Sequence, residues 1–194
     1  MGNHDYLLHG PRVAIRHVCR QDYRELTALA QDSAEMLRRW LGARESGAEA
    51  FESYLQRFEQ PTHEGFVICL RTTGAIVGGV NINNIIRGTL QTGTIGYTAY
   101  ASTTGHGYLT EGLKLALQHA FDALNLHRLE ANIQPDNTRS LNLIQRLGFQ
   151  REGYSTAFQF IDGAWRDHER WAITAEMWAP HRDLGAPSPE PSRG

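Results

Sequence analysis

Two glycines separated by one residue, Gly105 and Gly107, lie where a strand-like run over residues 94–100 meets a long amphipathic segment. Glycine lets the backbone at such a turn approach a ligand closely, and the free N–H groups at the start of a helix attract an anion. The pattern predicts a site for a pyrophosphate. A tight turn without a ligand is the alternative, because a lone pair of glycines is a weak motif.

The segment after the glycines is predicted to be a helix over residues 105–124, with apolar residues at steps of three and four. A short alternating strand, residues 129–133, follows it. Asp136 and Asn137 are capping residues placed before a second amphipathic helix that stops at Gly148. The order predicts a βαβαβ unit with the anion site at its first turn.

Two familiar phosphate-binding motifs are excluded at this turn. The P-loop requires a lysine directly after its last glycine, and the only lysine of the chain, Lys114, lies well inside the predicted helix. The dinucleotide fingerprint requires a third glycine three residues after the second, where this chain has Thr110. Neither motif therefore explains the two glycines.

A series of further motifs extends over roughly residues 12–178, nearly the whole chain. In chain order they are Asn84-Ile-Ile-Arg-Gly88, Gly105-His-Gly-Tyr-Leu-Thr-Glu111, Leu126-His-Arg-Leu-Glu130, Pro135-Asp-Asn137 with Ser140, Leu147-Gly-Phe149, Glu152-Gly153 and Asp162-Gly-x-Trp-Arg-Asp-His168. Together they resemble the GNAT superfamily of acetyl-CoA-dependent N-acetyltransferases, and more narrowly its RimJ/RimL group of ribosomal-protein-alanine N-acetyltransferases.

The resemblance implies an α/β (α+β) GNAT fold, in which a mixed central sheet of about seven strands has helices on both faces. A splayed pair of strands would hold acetyl-CoA, the implied co-substrate. Its pyrophosphate would bind backbone N–H groups of Thr104, Gly105, His106, Gly107 and Tyr108, with Thr110 nearby. Its pantetheine arm would run along Tyr97, Thr98, Ala99 and Tyr100 like an added strand, where a backbone N–H would polarise the acetyl carbonyl.

Two polar residues of the second helix receive roles from the resemblance. Asn137 matches an asparagine that hydrogen-bonds the pantetheine arm, and it is also a natural helix cap. Ser140 matches a serine that lies near the coenzyme sulfur and can protonate it. A hydroxyl in the first turn of a helix can instead bond locally, which is the alternative for Ser140.

The chain departs from the RimL pattern at the general base. RimL-like enzymes have a glutamate six residues after the glycine of Glu152-Gly153, and this chain has Gln159 there. Glutamine cannot accept the amine proton, so the departure favours the RimJ side of the group. An N-terminal α-amine has a pKa near 8 and is partly neutral without a base. A water chain or His168 would otherwise serve, although His168 is expected to be structural or exposed.

The helices before the sheet would cover the acceptor side of the site. Trp40 would line the acceptor pocket, or else belong to the core. Asn83 and Asn84 would face the acceptor amine, or else be solvated polar residues. If the acceptor is a peptide, we expect an open groove between the helices around Trp40 and a hairpin at Asp162. A closed, acid-lined pocket would indicate a polyamine or an aminoglycoside.

Three functions remain open at this stage. The first is acetyl transfer to a primary amine, foremost the N-terminal α-amine of a ribosomal or other protein. The second is acetylation of a small amine or antibiotic. The third is a non-catalytic acyl-CoA sensor, which Gln159 keeps open. The chain would be a monomer or a homodimer.

Composition limits the other possibilities. The chain has 194 residues, of which 41% are hydrophobic, enough for one domain over residues 1–179. A proline-rich tail over residues 180–194 is predicted to be disordered. A net charge of −2 gives no indication of a nucleic-acid partner. No apolar run is long enough to cross a membrane, and no signal peptide is evident.

Cysteine and histidine spacing predicts no metal site. Cys19 and Cys69 are far apart in the sequence, and Cys69 lies in a run that reads as a buried strand. Both are expected to be inert thiols in a reducing cytoplasm.

Three local expectations complete the sequence prediction. Residues before Pro11 are expected to be an unanchored lead-in. Asp22 is expected to begin a helix. Asp162-Gly163 lies between two strand-like runs and predicts a hairpin with a type I′ turn.

Overall fold

The computed structural model describes residues 5–42 and 46–180. Eight strands form a mixed sheet in the spatial order β1-β2-β3-β4-β5-β6-β8-β7, and among the described residues only β5 and β6 pair in parallel. The strands are β1 (Leu8–His9), β2 (Val13–His17), β3 (Glu64–Leu70), β4 (Ile76–Ile86), β5 (Thr92–Ala99), β6 (Arg128–Ile133), β7 (Gln150–Ile161) and β8 (Ala164–Thr174).

Helices cover both faces of the sheet because its central strands are apolar on both sides. Phe66 and Ile68 of β3 belong to the main core, which also contains residues of α4 and α5. The intervening Val67 and Cys69 point to the other face, where Leu26 of α1 packs against them. The helices are α1 (Tyr23–Asp32), α2 (Ala34–Leu41), α3 (Ala48–Gln56), α4 (Tyr108–Asp122), α5 (Thr138–Arg146) and α6 (Ala175–Trp178).

The parallel strands β5 and β6 separate after a short contact. They pair only where Thr92–Thr94 lies beside Arg128–Glu130. Strand β5 then continues to Ala99 with β4 on its other side. In the part of the chain that the structure describes, the β5 edge over residues 95–99 on the β6 side therefore has no strand partner. The predicted βαβαβ order and splayed strand pair are confirmed.

The sheet has eight strands rather than about seven because the chain before Pro11 adds a short edge strand. Leu8 and His9 pair with Ile15 and Ala14. Leu7 N donates to Ile15 O at 2.9 Å, and the Leu7 and Leu8 side chains pack against the main core. The expectation of an unanchored lead-in is therefore wrong for these residues. A two-residue strand is too short to produce a periodic pattern.

Helix α4 begins at Tyr108 and not at Gly105. Gly105 and Gly107 have φ values of +83° and +78°, which lie in the left-handed region and cannot continue a right-handed helix. The two glycines thus form the turn itself, and Gly107 is the residue directly before the helix.

Helix α1 begins directly after Asp22, as predicted, but the Asp22 side chain does not bond to the first N–H groups of the helix. Its carboxylate is buried and accepts two hydrogen bonds from the Arg16 guanidinium, at 2.8 and 2.7 Å, and one from Cys19 N at 2.9 Å. Burial opposes ionisation of Asp22, yet these hydrogen bonds hold its pKa below the usual value. The residue joins β2 to the turn before α1.

Other local predictions are confirmed. Asp162 and Gly163 have φ values of +48° and +80°, as a type I′ turn requires, and they connect β7 to β8. Asn137 caps α5, since its side-chain oxygen accepts from Ser140 N at 3.2 Å. Cys69 is fully buried in β3.

None of the helices in the described part of the chain is long and apolar enough to span a membrane. The predicted disordered tail lies outside the described residues except for Pro180. The assignment of residues 1–179 to one domain remains a prediction.

Candidate functional site

The glycine turn before α4 exposes a row of unpaired backbone amides. Across the described residues, no acceptor is found for the N–H groups from Thr104 to Thr110, whereas Glu111 N donates to Gly107 O at 3.1 Å. The residues from Thr104 to Gly107 are exposed. These amides and the positive end of the α4 dipole converge on one place, as the predicted anion site requires.

An ion pair holds this turn against the edge of the sheet. Glu111 accepts from Arg12 N at 2.7 Å, from Arg12 Nε at 2.9 Å and from Val13 N at 3.1 Å. Burial opposes ionisation of Glu111, but these bonds keep its pKa below the usual value. Arg12 also donates to His106 O at 3.0 Å, and its guanidinium lies 5.1 Å from the Tyr108 ring centroid. The shape of the anion site is thus fixed.

His106 and Tyr108 form a stacked ring pair at the glycine turn. The His106 ring is exposed and stacks on Tyr108, with centroids 5.4 Å apart and an interplanar angle of 17°. Thr110 lies one turn into α4 and is half-buried. All six residues assigned to the pyrophosphate therefore lie at the N-terminal end of α4.

The gap between β5 and β6 is bridged by two hydroxyl groups. Tyr97 Oη on β5 lies 2.6 Å from Ser140 Oγ on α5, and either atom can be the donor. Burial raises the pKa of Tyr97 to about 12, against a smaller lowering by the hydrogen bond to Ser140. Tyr97 is therefore protonated at neutral pH. Ser140 Oγ is directed across the gap rather than to its own helix.

Asn137 lies beside this pair and has donors to spare. Its oxygen accepts from Ser140 N, which caps α5. Its NH2 group has no acceptor among the described residues. One amide can thus cap the helix and also donate to a ligand in the gap.

A cavity of about 710 Å³ lies between the sheet and α1–α3, and it reaches β5 at Tyr97. Its wall contains Thr98 and Tyr100, which were assigned to the pantetheine arm. Of the described residues that line it, none is Asp or Glu, while Arg38 and Arg57 are cationic. Its polar residues include Thr27, Gln31, Ser53, Tyr54, Asn81 and Tyr97. The described part of the wall therefore lacks the acidic lining that would indicate a polyamine.

The predicted acceptor residues are not those that line this cavity. Trp40 is half-buried, and the Arg39 guanidinium lies over it, 4.6 Å from the centroid of the Trp40 ring. Trp40 is absent from the cavity wall. Asn84 is exposed, with φ at +52° in the bulge that ends the regular β4–β5 pairing. Asn83 affects the cavity only indirectly, because its side-chain oxygen accepts a hydrogen bond from Arg57 Nη2 at 2.9 Å.

The wall instead contains three residues that sequence reasoning did not select. Asn81 accepts from Tyr54 Oη at 3.0 Å, and Arg57 lies beside them in the short 3-10 turn after α3. Asn81 alternates with Val80 and Ile82 in the sequence, which puts it on the same face of β4 as Asn83. This alternation was the one sequence signal that could have identified Asn81. Nothing in the local sequence distinguishes Arg57 from other exposed arginines.

Gln159, at the position of the RimL glutamate, and His168, the alternative base, both lie apart from the cavity wall. Gln159 is exposed on β7. His168 is 2% exposed, and its Nδ1 lies 3.0 Å from Arg166 O. Burial lowers the pKa of His168, against smaller raising effects. His168 is thus a structural residue, which was one of the two alternatives expected for it. The described residues contain no cluster of three or more His, Cys, Asp or Glu suited to a metal ion.

Comparison with known proteins agrees with this geometry. Residues 12–150 match the acetyltransferase (GNAT) domain family. A segment of 107 residues is 38% identical to the [ribosomal protein uS5]-alanine N-acetyltransferase of Escherichia coli (strain K12) and covers 55% of each chain. The match thus spans about half the length of that relative. The spermidine N(1)-acetyltransferase of the same strain is 27% identical over 179 residues, or 89% of this chain and 92% of the relative.

A solved structure extends the similarity over most of the chain. RimJ of Mycobacterium smegmatis in complex with CoA-disulfide is 32% identical, with a TM-score of 0.78. The match covers 88% of this chain and 87% of that structure. With its matching domain model, its splayed strands and its glycine turn, the chain belongs to the GNAT acetyltransferase family and is similar to the RimJ group within it.

Proposed function

We propose that this protein transfers an acetyl group from acetyl-CoA to a primary amine, and that its acceptor is the N-terminal α-amine of a protein. The observation that carries the proposal is the Tyr97–Ser140 hydroxyl pair in the gap between β5 and β6. An amide-rich anion site lies on one side of the gap, and a cavity without described carboxylates lies on the other.

The residues around the gap fit acetyl-CoA. A pyrophosphate needs N–H donors without competing acceptors, which the amides from Thr104 to Thr110 supply. A pantetheine arm carries two amide groups, and the unpaired β5 edge over residues 95–99 offers N–H and C=O groups in strand geometry. The spare NH2 group of Asn137 is a further donor at the same place. The related RimJ structure contains CoA-disulfide.

The hydroxyl pair suits the departure of a thiolate. In acetyl transfer the amine nitrogen forms a bond to the thioester carbonyl carbon, and the carbon–sulfur bond breaks. Ser140 Oγ–H donates its proton to the leaving sulfur, while the Tyr97 hydroxyl stays protonated and stabilises Ser140 Oγ by donating a hydrogen bond to it. A backbone N–H on the open edge of β5 polarises the carbonyl oxygen. The proton that the amine nitrogen loses passes through water to Ser140 Oγ, which restores the acid.

The cavity wall favours an acceptor that needs no strong base. An α-amine has a pKa near 8, so a useful fraction is neutral at pH 7.5 without a carboxylate beside it. Polyamines have more basic amines and several charges, which acidic walls compensate. The described wall has two arginines and no acid. This difference supports a protein terminus over a polyamine.

Two other functions stay in view for specific reasons. A small-amine acceptor is favoured by the long alignment with spermidine N(1)-acetyltransferase. A non-catalytic acyl-CoA sensor is favoured by Gln159, which replaces the glutamate of the RimL pattern with a residue that cannot accept a proton.

The experiment that separates the three measures CoA release from acetyl-CoA with a panel of acceptors. The panel contains peptides that begin with Ala or Ser, the same peptides with a blocked terminus, spermine and an aminoglycoside. We expect turnover on free peptides only. Turnover confined to spermine or the aminoglycoside would move the function to small amines. Binding of acetyl-CoA without turnover on any acceptor would favour the sensor.

A further inference from the structure

The cavity wall over β4 carries a row of hydrogen-bond donors. Arg57 donates to Asn83 Oδ1 at 2.9 Å, and Tyr54 donates to Asn81 Oδ1 at 3.0 Å. Both amide oxygens are therefore used, and each amide has its NH2 group left. Within residues 5–42 and 46–180, no side chain or carbonyl accepts from these NH2 groups. The row thus offers N–H groups and few acceptors.

Arg57 is also an uncompensated charge at this wall. It has no carboxylate within ion-pair distance among the described residues, whereas Arg38, the other cation of the wall, lies 3.5 Å from Asp162. The bond to Asn83 orients the Arg57 guanidinium and leaves its other N–H groups available. A guanidinium held in this way is suited to bind a carboxylate through two parallel hydrogen bonds.

We propose that Arg57, oriented by Asn83 and assisted by Asn81, binds an acidic side chain close to the amino terminus of the acceptor polypeptide. This inference rests on the proposed function and adds a substrate preference to it. Donors without acceptors suit the carbonyl groups and carboxylates of a peptide. A second ammonium group would meet the positive charge of Arg57 and few acceptors there.

Strand register indicates which acceptor residue reaches Arg57. Asn83 pairs with Thr94, three residues before Tyr97 on β5. At about 3.4 Å per residue this separation is about 10 Å. An extended peptide advances by the same amount per residue. With its amine beside Tyr97, a peptide extending towards Asn83 has its third or fourth residue next to Arg57.

The test uses three peptides that begin with Ala and differ only at positions three and four, which are both Glu, both Gln or both Lys. For the wild type we expect kcat/KM to be about tenfold higher with Glu than with Gln, mostly through KM, because the ligand pair is charge-assisted. The Lys peptide should be poorer than the Gln peptide, because its charge repels Arg57.

The variants assign the preference to one side chain. In Arg57→Met the Glu/Gln ratio should fall to about one, and in Arg57→Glu the Lys peptide should become better than the Glu peptide. Arg24→Met is the matched control, since Arg24 is exposed on α1 and does not line the cavity. It should keep the wild-type ratio.

The outcomes separate this inference from the function on which it rests. Equal turnover of the three peptides by the wild type would overturn the inference alone. An unchanged Glu/Gln ratio in Arg57→Met would do the same. If spermine were acetylated and no peptide were, both the proposed acceptor and the inference would be wrong.

Discussion

Tyr97 and Ser140 are 43 residues apart in the sequence, yet their hydroxyl oxygens lie 2.6 Å apart across the gap between β5 and β6. Tyr97 belongs to the strand before α4, and Ser140 to the first turn of α5. Their contact links β5 to α5, the helix that follows β6, at the point where the cavity reaches β5. In the proposed reaction this pair is the source of the proton for the leaving sulfur.

Replacement of Ser140 should therefore slow the chemical step. We expect Ser140→Ala to lower kcat about 10²-fold, because it removes the general acid, and to leave the Kd for CoA within about threefold. Tyr97→Phe should have a smaller effect, since Ser140 keeps its own proton. Steady-state kinetics and calorimetric titration with CoA measure both quantities. If kcat of Ser140→Ala equals that of the wild type, Ser140 has no role as the acid.

The same pair allows a prediction of how the activity depends on alkaline pH. Because burial raises the pKa of Tyr97 to about 12, its hydroxyl stays protonated up to pH 10. Ionisation of Tyr97 should therefore cause no loss of activity between pH 8 and 10. The wild type and Tyr97→Phe should depend on pH in the same way over that range. A fall of kcat in that range that is present in the wild type and absent from Tyr97→Phe would show that Tyr97 titrates there.

Asn137 should have two separable roles, one in stability and one in binding. Asn137→Ala removes the cap of α5 and should destabilise the protein by about 1 kcal/mol. Asn137→Asp keeps a good capping oxygen but loses the NH2 donors, so its stability should be close to that of the wild type. Both variants should weaken CoA binding about tenfold, because each loses one buried donor. Urea unfolding and CoA titration separate the roles.

The result for Asn137→Asp decides between the two interpretations. If this variant binds CoA as the wild type does, Asn137 is only a helix cap.

Gly107 should be required for the shape of the anion site. Its φ of +78° is unfavourable for alanine by about 1 kcal/mol, and an added Cβ would lie 3.4 Å from Arg12 Nη2. Gly107→Ala should therefore weaken CoA binding about tenfold or more. Gly163→Ala is the control, because Gly163 has a φ of +80° in an open hairpin turn. An equal loss of CoA affinity in both variants would indicate a general loss of stability.

The sequence was informative where a local rule governs the structure. Positive φ at the glycine turn, the cap at Asn137 and the type I′ turn at Asp162-Gly163 each depend on a few neighbouring residues. The splayed strand pair was predicted from the family resemblance, because the motifs that carry the resemblance lie at the two ends of the βαβαβ unit. These features placed the anion site and Ser140 at one end of the sheet.

The sequence was uninformative where side chains meet from distant segments. The bond between Tyr97 and Ser140 depends on how far β5 and β6 diverge, and the bonds from Arg12 to Glu111 span 99 residues. The acceptor wall shows the same limit. Trp40 was selected because it lies on a helix that the resemblance places over the acceptor side, but it does not belong to the described wall of the cavity. Arg57 reaches the wall because the turn after α3 lies against β4, where Arg57 contacts Asn83.

The buried pair of Arg16 and Asp22 should contribute strongly to stability without contributing to activity. Arg16 and Asp22 are 9% and 5% exposed, and their two hydrogen bonds are 2.7 and 2.8 Å long. Asp22→Asn leaves a buried guanidinium without its counter-charge, and we expect a loss of about 3 kcal/mol in the free energy of unfolding. Asp32→Asn, at the exposed end of α1, should change it by less than about 0.5 kcal/mol.

The pair should also give stability a dependence on acid pH. Since the folded-state pKa of Asp22 is lowered, its contribution is complete above the unfolded-state pKa near 3.9 and is lost as pH falls through the lowered folded-state value. The free energy of unfolding from urea titrations at pH 7, 4 and 3 should therefore fall less steeply in Asp22→Asn than in Asp32→Asn. Parallel curves for the two variants would mean that Asp22 binds its proton equally well in the folded and the unfolded protein.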